Sequence, residues 1–317
     1  PNTQHVTHAL EQMECVIVQD LFLNETAMFA HVFFPGASFL EKSGTFTNAE
    51  RRISPVRRVM APKNSGLDAN GKKEDGMEDW QVTARLSAAL GYLMEYNHAS
   101  EIMDEIAALT PTFKGVSFKK LDELGSIQWP CDDENPAGTP IMHIDEFVRG
   151  KGKFFITQYV PTTEKVNAKF PLILTTGRIL SQYNVGAQTR RTQNTAWHPE
   201  DTLEIHPHDA EERGIKEGDW VGIASRAGET VLRAKITPRV QVGVVYTTFH
   251  HPESGANVIT TENSDWATNC PEYKVTAVQV SRVSQLSDWQ KHYKTFSEAQ
   301  IAYAQRATRA NESTKVA

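Results

Sequence analysis

The sequence predicts an α/β segment followed by a β segment, and two observations carry this. The first is a strand–helix–strand spacing. Cys15-Val16-Ile17-Val18-Gln19 is a continuous apolar run, the kind buried on both faces of a parallel sheet. Asn24 can cap a short helix running to Ala30, and Val32-Phe33-Phe34-Pro35 supplies the next strand. This spacing is that of part of an open α/β sheet. The second observation is a change of pattern near Phe170. From there to Val283 short strands alternate with glycine turns, which predicts a compact β-barrel.

In the first half, Asp20 stands just past the first strand, at the carboxyl end where open α/β sheets hold ligands. Glu41 to Arg52 is polar, with a turn at Gly44 and a closing basic pair. It fits either a solvated loop or a loop laid over a phosphorylated ligand. Lys63 to Asp75 reads as an exposed insertion. Asp79 caps a helix bearing Val82, Leu86, Leu90 and Leu93, and Ser100 caps a second bearing Ile102, Ile106 and Leu109, which stops at Pro111. Leu121 to Thr139 reads as irregular, and Phe154 to Gln158 as a strand.

In the second half the expected strands are Leu172 to Thr175, Thr202 to Ile205, Trp220 to Ser225, Glu229 to Ile236, Gly243 to Thr248 and Lys274 to Val280. A short helix over Asp209 to Gly214 interrupts them. After Ser284 a polar helical tail carries Trp289, Tyr293, Phe296 and Ile301 on a loose apolar stripe, and frays at its end.

Composition excludes several function classes. The chain has 317 residues, a net charge of -6 and 39 acidic against 33 basic residues, which argues against nucleic acid or an anionic membrane as partner. No apolar run is long enough to span a membrane. The chain opens at Pro1 without an initiator Met or a signal peptide, and the start reads as a cut inside a longer polypeptide. Cys15, Cys131 and Cys270 are odd in number and far apart, so they predict buried or incidental thiols and a reducing, cytoplasmic setting.

The chemistry-bearing residues suit anion and base recognition. Thr175-Thr176-Gly177-Arg178 follows an apolar strand. Hydroxyls and backbone N–H groups there can bond phosphate oxygens, Gly177 permits close backbone approach, and Arg178 adds charge-assisted bonds. A second segment, Phe249 to Asn257, completes a grip from the other side. Asp20 and Asp79 can each accept the two-donor edge of a guanine, while Asp20 also suits a turn and Asp79 a helix cap. Lys42 can reach a base carbonyl or a phosphate. Arg190-Arg191 fits a phosphate site or a surface loop. In an extended segment His250 and His251 point to opposite faces and do not share a metal easily. No nucleophile elbow, P-loop or zinc motif is present, so the sequence offers a binding apparatus without an evident catalytic base or metal site.

These segments resemble a known family. Leu174-Thr175-Thr176-Gly177-Arg178 to Arg191, Phe249 to Thr261 and Cys270-Pro271-Glu272-Tyr273-Lys274 are similar to the molybdopterin-dinucleotide-binding domain of the bis-guanine-dinucleotide molybdenum or tungsten oxidoreductases. Val16 to Asp20, Phe34 to Ala37, Glu41 to Arg52 and Asp79-Trp80-Gln81 resemble the α/β domain that precedes it, in the same order. Leu124 to Cys131 and Gln182-Tyr183-Asn184 are most like formate dehydrogenase catalytic subunits of the cytoplasmic NAD-dependent type.

The resemblance implies a partial open α/β (Rossmann-like) domain over 1–150, a linker over 151–169, a six-stranded double-psi barrel over 170–283 and a helical tail over 284–317. It implies that Gln19, Asp20, Lys42 and Asp79 hold one nucleotide end. Thr176, Gly177, Arg178, Ile179, Leu180, Ser181, Gln182, Tyr183, Asn184 and Val185 would form the main cofactor loop, with Asn257 and Lys274 on pterin or phosphates and Phe249 on the substrate side.

The implied cofactor is bis-molybdopterin guanine dinucleotide with Mo or W, and the implied substrate is formate. Iron–sulfur clusters, FMN and NAD would lie elsewhere in the complex. Partners would be an N-terminal remainder of the same subunit and iron–sulfur/flavin subunits of the NADH-dehydrogenase-like kind. The family's metal-ligating Cys or selenocysteine, its adjacent His and its substrate-binding Arg have no counterpart in this segment. A related bis-pterin enzyme (nitrate reductase or the NADH:quinone oxidoreductase large subunit) and a non-catalytic pterin-binding subunit stand as alternatives.

Overall fold

Six strands of the second half close into a barrel in the order β10-β6-β11-β8-β9-β7. They are β6 (Leu172–Gly177), β7 (Thr202–Ile205), β8 (Trp220–Ala224), β9 (Glu229–Ile236), β10 (Val244–Thr248) and β11 (Thr276–Arg282). Two pairings, β6 with β10 and β7 with β9, are parallel, and the other four are antiparallel. This is the double-psi arrangement, and it matches the expected strands to within two residues at each end. The computed structural model describes residues 2–63 and 76–313, with side chains through residue 302. The expected insertion over Lys63 to Asp75 therefore lies, beyond Lys63, outside the described residues.

The barrel forms because its strands alternate. Along β6 every second residue is buried, so Leu172 and Leu174 face inward, joined by Leu203, Ile205, Val221, Ile223, Leu232, Val245, Val278 and Val280. Two short helices, α5 (Pro207–Glu212) and α6 (Ala256–Ile259), add Ala210 and Ile259 to the same core. Glu164 ties the chain entering the barrel to its wall. Its buried carboxylate accepts from Arg226 and from the Ala277 N–H, both at 2.9 Å.

The unit that holds the barrel also takes in the segment before Ile17, Leu23–Phe29 and the chain from Tyr159 on. It includes α1 (Thr3–Glu11) and α7 (Asp288–Ser313). On α7, Trp289 donates to the Pro252 carbonyl at 3.2 Å, Tyr293 bonds Glu25 at 3.0 Å, and Phe296 packs on Phe29. Ile301 leaves this stripe and is exposed, because the helix has by then run past the surface it covers.

The second unit comprises Ile17–Phe22 and Ala30–Gln158. Strands β1 (Ile17–Asp20) and β2 (Val32–Pro35) pair in parallel, as the strand–helix–strand spacing predicts, with a 3-10 turn at Thr26–Phe29 capped by Asn24. Burial on both faces does not follow. Ile17 is 47% exposed, because a two-stranded ribbon has no covering layer of its own here.

The polar stretch Glu41 to Arg52 is not a loop. It forms most of a hairpin of β3 (Gly44–Thr47) with β4 (Arg52–Val56), whose turn is closed by the Asn48 side chain accepting from the Glu50 and Arg52 N–H groups. Within Leu121 to Thr139, expected to be irregular, β5 (Ile127–Gln128) completes that sheet. Helices α3 (Ala99–Leu109) and α4 (Phe118–Leu124) contribute Met103 and Leu121 to a core with Ile53, Val116, Ile127 and Cys131, while α2 (Asp79–Ala89) buries Val82.

Two caps shift from their expected positions, one by one residue and one by two. Glu78, not Asp79, begins α2 in a reciprocal capping box with Gln81, and His98, not Ser100, caps α3. The strand expected at Phe154 to Gln158 is absent. These residues are extended but unpaired, and Phe154 and Ile156 are 100% exposed. The three cysteines are free thiols, with Cys131 buried and Cys15 and Cys270 exposed.

Asp201, just before β7, is the most heavily used buried carboxylate of the barrel. It accepts from the Thr248 hydroxyl, from the backbone N–H groups of His250 and His251 (3.4 and 2.9 Å), and from His251 Nδ1 at 3.1 Å. Burial pushes its carboxyl up, but the bonds from His251 and Thr248 outweigh this and hold it below the usual carboxylate range.

Two outcomes are expected. Leu174→Ala, at a site with no exposure, should lower unfolding free energy by about 2–5 kcal/mol in denaturant titration, while Val242→Ala on the surface should stay within about 0.5 kcal/mol. Asp201→Asn should cost about 1–3 kcal/mol at pH 7. A depressed carboxyl stabilises above its ordinary range and loses that contribution as pH falls through its folded value. The gap between wild type and Asp201→Asn should therefore narrow below about pH 4, as read by unfolding curves across pH.

Candidate functional site

The candidate residues fall into two groups, one in each unit. In the α/β unit the parallel pairing of β1 with β2 puts both carboxyl ends at one edge, Asp20 opposite Pro35. Asp79, the first residue of α2, reaches this edge. One of its oxygens accepts from Gln19 Nε2 at 3.0 Å and from the Ala37 N–H at 3.1 Å, and the other pairs with Lys42. Asp20 bonds the next backbone N–H at 2.6 Å. Gly36 lies between the Asp79 carboxylate and the Asp20 backbone: a Cβ there would sit 3.2 Å from Asp79 Oδ1 and 3.2 Å from the Asp20 carbonyl carbon. Gln19, Asp20, Lys42 and Asp79 thus come together as one polar cluster, already knit by its own ion pair.

In the barrel unit the parallel pairing of β6 with β10 sets Gly177 opposite Thr248. The loop after β6 and the loop after β10 therefore emerge at the same end. Several groups of the loop bond to protein groups outside it. The Thr176 hydroxyl donates to the Tyr273 carbonyl (3.1 Å), the Ile179 N–H to His250 Nε2 (3.2 Å), and Ser181 Oγ lies 3.0 Å from His198 Nδ1. Gly177 packs under the Tyr246 ring, where a Cβ would meet ring atoms at 2.7 Å.

What the loop presents outward is a different subset. Arg178, Leu180, Tyr183, Asn184 and Val185 are exposed, and the Arg178 guanidinium stands 5.8 Å over the Phe249 ring. Asn184 adopts a left-handed conformation at φ 50, and Gly186 follows at φ 69. Gln182 is buried, its Oε1 accepting from Thr189, while its Nε2 has no partner among the described residues. A buried donor of this kind suits an acceptor supplied by a ligand. Asn257, on α6, is partly buried, and Lys274 is exposed. An exposed guanidinium, an exposed ammonium and an orphaned amide suit a phosphorylated cofactor with polar ring edges.

Arg190 and Arg191 both bond to backbone carbonyls of the loop. Arg190 donates to the Val185 carbonyl at 3.2 Å and pairs with Glu25, and Arg191 donates to the Ala187 carbonyl. The two histidines have separate partners, His250 on the loop and His251 on Asp201. Sequence reasoning treated this pair only as a metal question. The signal it lacked was the pairing of β6 with β10, which alone brings position 250 to the loop.

Residues 172–277 match the model of the molydopterin dinucleotide binding domain, and residues 1–88 match that of the molybdopterin oxidoreductases. The chain is 40% identical over 288 residues to the F420-dependent formate dehydrogenase 1 subunit alpha of Methanococcus maripaludis, covering 89% of this chain and 41% of that protein. It is 33% identical to formate dehydrogenase H of Escherichia coli, covering 88% of this chain and 38% of that one. The chain thus spans about two fifths of the length of these relatives. The structure of acetylene hydratase from Pelobacter acetylenicus aligns with a TM-score of 0.65 over 89% of this chain and 42% of that one, at 14% identity, and so shares the fold. With both of its units matched in this way, the chain belongs to the molybdopterin oxidoreductase family, and its barrel is the dinucleotide-binding domain.

Proposed function

We propose that this chain is the cofactor-binding portion of a molybdenum- or tungsten-dependent formate dehydrogenase subunit, an oxidoreductase. The observation that carries the reading is the pair of loops at the carboxyl ends of β6 and β10, in a domain of the dinucleotide-binding kind. The 40% identity to a formate dehydrogenase alpha subunit supports the substrate.

The proposed assignments follow the family resemblance. Gln19, Asp20, Lys42 and Asp79 hold one nucleotide end, and the Lys42–Asp79 pair opens to meet a guanine edge. Thr176, Gly177, Arg178, Ile179, Leu180, Ser181, Gln182, Tyr183, Asn184 and Val185 form the main loop, in which Arg178 supplies charge and Gln182 an amide donor. Asn257 and Lys274 bind pterin or phosphate, and Phe249 lies toward the substrate. A metal–pterin centre held there would supply the two-electron oxidation of formate to carbon dioxide and a proton. This chain's own part is to bind and orient that group and to supply fixed charge around it.

The remainder of the subunit, iron–sulfur and flavin subunits, and a cytoplasmic setting complete the proposal. Among the described residues no helix is long and apolar enough to cross a membrane. The final acceptor has two readings. The NAD-type likeness favours a nicotinamide, and two relatives named as F420-dependent formate dehydrogenases favour F420.

In the full-length protein, formate should reduce either F420 or NAD in an anaerobic absorbance assay, and acid treatment should release guanine nucleotide together with Mo or W. Absence of both metal and nucleotide would sink the reading. Arg178→Ala should weaken cofactor retention by about 10-fold or more, since a charge-assisted bond contributes about 1.5–3 kcal/mol. Metal analysis per subunit measures this, and unchanged content would remove Arg178 from the contact set.

A further inference from the structure

We propose that His250 is the positioning residue of the cofactor loop: as a neutral imidazole protonated on Nδ1, it fixes both ends of the Arg178–Val185 backbone in the shape that receives the dinucleotide. The inference rests on the reading that this loop holds the cofactor.

The geometry dictates the tautomer. A backbone N–H can only donate, so His250 Nε2, 3.2 Å from the Ile179 nitrogen, accepts. A backbone carbonyl can only accept, so His250 Nδ1 carries the hydrogen that bonds the Asn184 oxygen. One ring therefore spans the loop from its second residue to its seventh. The imidazolium form would set one N–H against another at Ile179.

The ring is placed to do this rigidly. It has 0% exposure and lies 5.2 Å from the Phe249 ring. The backbone N–H groups of His250 and His251 are held by the buried Asp201 carboxylate. Gly186, just past the loop, presses on the same strand end, where a Cβ would fall 2.7 Å from the His250 carbonyl oxygen. Asn184 sits at φ 50, a conformation that persists only where neighbours over-determine it, and the His250 bond to its carbonyl is one of the contacts that do so. A purely apolar ring of the same size would fill the space and leave the Ile179 N–H and the Asn184 carbonyl unpaired.

The test compares His250→Ala, His250→Gln and Arg178→Ala in the full-length protein. Metal and acid-released guanine nucleotide are measured per subunit, with the thermal midpoint of the cofactor-stripped protein alongside. His250→Ala should hold at least about fivefold less metal and nucleotide. His250→Gln should recover most of it, because an amide offers one acceptor and one donor. A further variant, His250→Leu, separates bonding from volume: it fills much of the space without either hydrogen bond and should stay as low as His250→Ala, whereas a purely space-filling role would let it recover at least as well as His250→Gln.

Full cofactor content in His250→Ala with loss in Arg178→Ala would overturn the positioning role alone. Full content in both would overturn the cofactor-loop reading beneath it. Should His250→Ala fail to fold, histidine-selective 15N spectra of the wild type decide the matter. A bare Nε2 and a protonated Nδ1 are expected, and a protonated Nε2 would overturn the proposal.

Discussion

The parallel pairing of β6 with β10 is the constraint on which the candidate site in the barrel depends. Ile179 and His250 are 71 residues apart in sequence, yet the register that sets Gly177 opposite Thr248 brings their loops to one end of the barrel. An antiparallel neighbour would have sent the second loop to the opposite end. The same logic recurs in the α/β unit. There the parallel β1–β2 pair collects Asp20 and, across Gly36, Asp79 at one edge. In both units the candidate residues sit where strands of common direction end, and in the barrel a hydrophobic interior stands behind them.

Polar groups at these ends divide into two kinds. Thr176, Ser181, Arg190, Arg191 and Asp201 spend their bonding capacity on the protein itself. Arg178, Tyr183, Asn184 and Lys274 turn outward. The inward set explains how a loop with exposed Leu180 and Val185 keeps one conformation without a core of its own. Charge-assisted and buried bonds are the stronger kind, and here they are spent on backbone placement.

Much of this was legible in the sequence, and the gaps have physical causes. Barrel strands such as β6 and β8 could be read because burial alternates along them, and β9 could be read as a run of apolar and β-branched residues after the Gly228 turn. The hairpin of β3 and β4 could not, because Glu41 to Arg52 is polar throughout, and its turn is made by one asparagine side chain and a residue at positive φ, Arg51. Asp79 was picked out as a cap and a base partner, but its neighbour Glu78 fills the cap position, which leaves the Asp79 carboxylate to Gln19, Ala37 and Lys42. Arg178 was legible as an exposed charge after a strand. His250 was not, because its role is a matter of register across the barrel, which no local window contains.

The bare run from Phe154 to Val160 and the buried Glu164 lie within a few residues of each other, and together they draw a sharp line for dissection of the chain. Phe154, Ile156, Tyr159 and Val160 form a strip of uncovered apolar side chains, the sort of surface that makes an isolated fragment self-adhesive. Four residues after Val160, Glu164 is stitched to Arg226 and Ala277, and Thr162 reaches Glu272. A fragment cut before Phe154 keeps the sticky strip, and one cut after Glu164 loses the first stitch of the barrel. The usable boundary for excising the dinucleotide-binding barrel is therefore confined to the neighbourhood of Pro161.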